Sequence, residues 1–123
     1  MAASIVYSGF APIQKANLKL MCAFFGIDMT YIPKNEPYSL PAEALLLVVD
    51  GQHGAGNVKR LEAERVAIID HHVVECEPGN MSDIRPFLGS SATLMWHLLG
   101  QAGFDFAHNL DVATALYYGL YTD

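Results

Sequence analysis

The sequence predicts an α/β fold, a mostly parallel sheet with helices on both faces, and three observations carry that expectation. Two short aliphatic runs, Leu45-Leu46-Leu47-Val48-Val49 and Ala67-Ile68-Ile69, each end abruptly in an aspartate, Asp50 and Asp70. Runs this short, apolar throughout and bounded by polar residues, read as inner strands of a parallel sheet, covered on both faces; their C-terminal ends are where open α/β sheets place ligands. Elsewhere apolar residues recur at helical spacing, which gives the order β-α-β-β-β-α-α and helices that cover a sheet.

Taken in order, Ser4-Ile5-Val6-Tyr7 is a short strand leading into the loop Ser8-Gly9-Phe10-Ala11-Pro12. Ile13, Ala16, Leu20, Ala23 and Phe24 then mark the buried stripe of a helix ended by Gly26. Thr30-Tyr31-Ile32 is a second strand stopped by Pro33, and Pro33, Pro37 and Pro41 punctuate an irregular connection to the Leu45 strand. Gly51-Gln52-His53-Gly54-Ala55-Gly56 has backbone amides to cradle a phosphate, but isolated glycines between elements more often let the chain turn, and a turn is expected. The stretch from Glu75 to Pro86 has the composition of a loop. Ser90 or Ser91 caps a helix with Ala92, Met95, Trp96 and Leu99 inward, Trp96 being core and His97 partly solvated. Serine hydroxyls at a helix start also suit an anion, so Ser90 and Ser91 are candidate phosphate contacts. Asn109 is expected to cap the last helix, which carries Val112, Ala113, Leu116, Tyr117 and Leu120.

At 123 residues the chain has room for one domain, 1–123, with a real core. Charged residues make up 16% and hydrophobic ones 52%, against about 25% charged in average usage. Some apolar face is therefore expected to meet a partner, with the aromatic faces at Phe24 and Phe25 or at Tyr117, Tyr118 and Tyr121 as contacts in a homo-oligomer. A net charge of −6 with no basic run excludes affinity built on a basic phosphate-neutralising surface. Cys22 and Cys76 have no metal-type spacing and read as reduced thiols of a cytoplasmic protein. The longest aliphatic run is far too short for a membrane span.

The chemistry concentrates at Asp70-His71-His72. Adjacent strand residues point to opposite faces, so the three converge only if the strand stops and the chain turns there. Asp70 is then placed to accept a bond from a histidine N–H and fix its tautomer, leaving the other ring nitrogen for a metal or a phosphate oxygen.

Val48-Val49-Asp50 closing one strand, Asp70-His71-His72 closing the next, Ser90-Ser91-Ala92-Thr93 opening a helix and the run from Ala113 to Gly119-Leu120-Tyr121-Thr122-Asp123 resemble the DHH superfamily of phosphoesterases. That superfamily includes RecJ-like exonucleases, nano-RNases, cyclic-dinucleotide phosphodiesterases and family II pyrophosphatases. The resemblance covers nearly the whole chain as the Rossmann-like, three-layer N-terminal DHH domain. It implies manganese or magnesium at the strand ends, with Asp50, His71 and Asp123 as metal ligands. It also implies that His72 faces the substrate phosphate and that Asp70 supports the histidines.

The superfamily's first motif supplies a histidine and an Asp-x-Asp pair after strand one, whereas Ser8-Gly9-Phe10-Ala11-Pro12-Ile13-Gln14 offers no carboxylate or imidazole. At most one ion is therefore expected, with impaired hydrolysis of phosphodiester or phosphoanhydride bonds in a phosphate-containing small molecule or short oligonucleotide. Such proteins also continue into a C-terminal substrate-binding domain, so a truncated chain is expected. The alternative is a catalytically silent DHH-like module that binds a nucleotide or a protein partner. A dinucleotide binder is disfavoured, because the first turn lacks Gly-x-Gly-x-x-Gly.

Overall fold

The computed structural model describes residues 2–56 and 58–123. It is mixed α/β, with short parallel sheets and three helices: β1 (Ile5–Gly9), α1 (Ala16–Phe25), β2 (Met29–Pro33), β3 (Leu45–Val49), β4 (Arg65–Asp70), β5 (Asp83–Ile84), α2 (Ser91–Gln101) and α3 (Leu110–Thr122). The chain divides into two compact units, Met1–Ser39 and Leu40–Asp123. The strands expected in one sheet pair as two, β1-β2 and β3-β4-β5, and every pairing is parallel.

In the first unit β1 and β2 pair from Ile5↔Met29 to Gly9↔Pro33. Proline is tolerated at this last ladder position because its missing N–H falls at the strand end. α1 stops at Gly26, whose left-handed φ of 64° is a conformation that glycine adopts without cost. The expected inward stripe of α1 is corrected by the structure. Leu20 and Phe24 are exposed, and the half-buried residues are Leu18, Met21, Cys22 and Phe25. The helix is apolar around much of its circumference, so two stripes satisfy the same period.

In the second unit β4 is the middle strand, paired with β3 from Leu45↔Arg65 to Val49↔Ile69 and with β5 through Ile69↔Asp83 and Asp70↔Ile84. Ile68 and Leu94 form the centre of its core, Leu94 being 0% exposed, with α2 packed on β4 and on α3. Full burial of such a side chain contributes about 1.5–3 kcal/mol relative to leaving it in water. β3 is covered on one face only: Leu45, Leu47 and Val49 stand about half exposed, contrary to the expectation for a continuous apolar run. Trp96 is likewise exposed, stacked on Phe106 with ring centroids 4.0 Å apart, because the inward face of α2 is rotated to Ser91 and Leu94. β5 lies inside the stretch expected to be loop. No described helix is long and apolar enough to cross a membrane.

Candidate metal and phosphate site

The site is built where β3 and β4 end side by side. The ladder extends one residue past β3, where the Asp50 N–H donates to the Ile69 carbonyl at 2.9 Å, and past β5, where the Arg85 N–H donates to the Asp70 carbonyl at 3.0 Å. Asp50 then turns the chain with a φ of 60°, the one described non-glycine residue in the left-handed region. Aspartate tolerates that region better than most residues, and such strain marks positions held by their surroundings. The next residue, Gly51, has no room for a side chain, since a Cβ there would lie 2.6 Å from Val58 Cγ2. The segment that follows closes as a turn, with the Ala55 N–H on the Gln52 carbonyl at 3.1 Å.

Asp70 is 0% exposed, yet both carboxylate oxygens are satisfied. Oδ2 accepts from Gln52 Nε2 at 3.0 Å and Oδ1 from His72 Nδ1 at 2.7 Å. Burial pushes the Asp70 carboxyl up, but the bonds from Gln52, His72 and the backbone N–H groups of His71 and His72 together outweigh it and hold it below its ordinary range. His72 moves the other way. Its bond to Asp70 raises it, desolvation opposes, and the smaller effects of the Asp70, Asp50 and Asp123 charges add to the rise.

His71 is anchored separately. Its Nδ1–H donates to the Leu88 carbonyl at 3.2 Å, so that in the neutral ring Nε2 carries the lone pair. That nitrogen is buried, has no hydrogen-bond partner among the described residues, and lies 3.4 Å from both Asp50 Oδ1 and Asp123 Oδ2. In the neutral ring a lone pair facing two carboxylate oxygens is repulsive, which a proton on Nε2 or a bound cation relieves, and one nitrogen with two oxygens is a donor set that suits a divalent ion. The residues therefore fit a metal. Asp50, His71 and His72 each also bring a ligand atom within 4.8 Å of the others'.

Asp50, Asp70, His71, His72 and Asp123 thus come together from the ends of β3, β4 and α3. Ser91 joins them by donating its hydroxyl proton to Asp50 Oδ1 at 2.8 Å. Ser90 does not face the site with a free hydroxyl: it is fully buried, and its Oγ accepts the Thr93 N–H at 3.1 Å as the cap of α2. Two contributors are absent from the sequence expectation. Leu88 acts through its carbonyl, which no side-chain pattern reveals, and Gln52 shows in sequence only as an amide in a glycine-rich turn. Comparison of the chain with protein-family models, with curated proteins and with solved structures finds no match.

Proposed function

We propose that this chain is a DHH-type phosphoesterase domain, with the Rossmann-like three-layer fold of that superfamily. Its site takes one divalent ion, manganese or magnesium, on Asp50, His71 and Asp123, and a phosphate of a nucleotide or short oligonucleotide beside His72. The observation that supports this most is the buried His71 Nε2, without a hydrogen-bond partner among the described residues, held between two carboxylates. When bound, such an ion supplies Lewis acidity toward a phosphoryl oxygen and toward water.

The chain's own residues do the rest. Asp70, buried and ionised, holds the His72 ring by Nδ1 and keeps it protonated to higher pH than a free imidazole, so that Nε2–H is available to donate to a phosphate oxygen. Ser91 holds the Asp50 carboxylate toward His71. Two carboxylates and one imidazole make a weak site, and a second ion has no donor set in the loop from Ser8 to Gln14. Turnover is accordingly slow.

The test is hydrolysis of short oligonucleotides, cyclic dinucleotides and pyrophosphate with and without manganese. Slow, manganese-dependent hydrolysis lost in both Asp50→Ala and His71→Ala supports the reading. Nucleotide binding that needs manganese, without turnover, would make the chain a silent module of the same design. Hydrolysis that survives both substitutions, or the absence of any manganese-dependent binding, would overturn it.

A further inference from the structure

Gln52 is 4% exposed and its amide is used on every side. Nε2 donates to Asp70 Oδ2 at 3.0 Å and to the Val73 carbonyl at 2.9 Å. Oε1 accepts the Glu75 N–H at 2.9 Å and lies 3.7 Å from the Cys76 thiol. The first two partners only accept and the Glu75 N–H only donates, so the partners themselves fix which way the amide points. No other side chain of this length supplies two donors and an acceptor in that arrangement.

The geometry points to Gln52 as a positioning residue: by fixing Asp70 Oδ2 and the backbone at Val73 and Glu75, just after His72 in sequence, it keeps Asp70 Oδ1 on His72 Nδ1 and leaves Nε2 for the substrate. This rests on the proposed reading in which His72 faces a phosphate. A carboxylate orienting an imidazole is useful only if the carboxylate itself cannot rotate, and Gln52 is the side chain that clamps its second oxygen. His71 provides an internal control, because its ring is held by the Leu88 carbonyl, to which no Gln52 bond leads.

The experiment is long-range proton–nitrogen NMR of the histidine rings in the metal-free full chain, at a pH where both rings are neutral. Wild type is expected to show single Nδ1–H tautomers for His71 and for His72. Gln52→Met removes all the amide bonds at similar volume, and Gln52→Glu keeps a single donor at most. Loss of the single His72 tautomer in both variants, with His71 unchanged, is the expected result. A His72 ring that keeps its Nδ1–H form in either folded variant would overturn the proposal. So would loss of both tautomers together, or collapse of both variants, since Gln52 would then serve only the fold. The readout involves neither metal nor substrate. A wild-type chain that binds no manganese yet shows the His72-specific change would therefore refute the proposed function and leave the role of Gln52 standing.

Discussion

Ser91 Oγ donates to Asp50 Oδ1 across 2.8 Å, and this bond joins the first turn of α2 to the strained residue that ends β3. The same oxygen faces His71 Nε2 at 3.4 Å, so a residue that touches no proposed substrate fixes the direction of an oxygen proposed as a metal ligand. Outer partners of metal ligands are worth about 10–100-fold in affinity. Ser91→Ala is expected to weaken manganese binding by about 10-fold with little change in stability. Isothermal titration of the two proteins checks this, and equal affinities would show that Asp50 holds its orientation unaided.

The backbone at Asp50 makes a second prediction. At a φ of 60° a Cβ is unfavourable, and aspartate alleviates this only through its polar side chain. Asp50→Ala keeps the Cβ and loses the carboxylate, whereas Asp50→Gly loses both. The glycine variant should therefore be more stable than the alanine variant by about 1 kcal/mol in urea unfolding, with manganese binding expected of neither.

Ser90 and Ser91 are neighbours with different work. Ser90→Ala removes the cap of α2 and should cost about 1 kcal/mol of stability. Because Ser90 Oγ is engaged by Thr93, its removal should leave the proposed nucleotide binding unchanged. Denaturant unfolding beside a binding titration separates the two effects.

A pH dependence follows from the edge strand β5. The Asp83 carboxylate takes two bonds from the Arg85 guanidinium at 2.8 Å each, which hold its pKa below the ordinary range against a smaller opposing effect of burial. The unfolded carboxyl titrates near about 3.9. A folded pKa below that value means that the stabilisation is fully present above the unfolded pKa and is lost as pH falls through the folded one. Asp83→Asn should therefore be less stable than wild type at neutral pH, with the difference closing on the acid side. A difference independent of pH would assign the effect to packing.

How much of this was legible in the sequence depends on the kind of signal. The ends of β3 and β4 were, because an aspartate closing an aliphatic run contrasts sharply with it, and Asp50, Asp70, His71 and His72 all sit at those ends. The cap of α2 was legible too, since Ser90 precedes a helical period. Which face of a helix turns inward was not. In α1, Leu18, Met21, Cys22 and Phe25 repeat at the same spacing as the exposed set with Leu20 and Phe24, so periodicity alone had no way to choose. A continuous apolar strand gives no sign of covering either, so the half-exposed side of β3 leaves no signal in the sequence. β5 is two residues long in a Pro, Gly and Asn-rich stretch, and only its pairing with Ile69 and Asp70 makes it a strand. Gln52 and the Leu88 carbonyl reach the site through tertiary structure, which leaves no local pattern.

The central claim is that His71 Nε2, set between Asp50 and Asp123, is one ligand of a single divalent ion. Manganese titration of the metal-free chain, followed by electron paramagnetic resonance, measures it most directly. One weakly bound ion per chain is expected, with binding lost in His71→Ala and in Asp50→Ala and weakened in Asp123→Ala. Binding that is unchanged in His71→Ala, or no binding by the unmodified chain, would contradict the account.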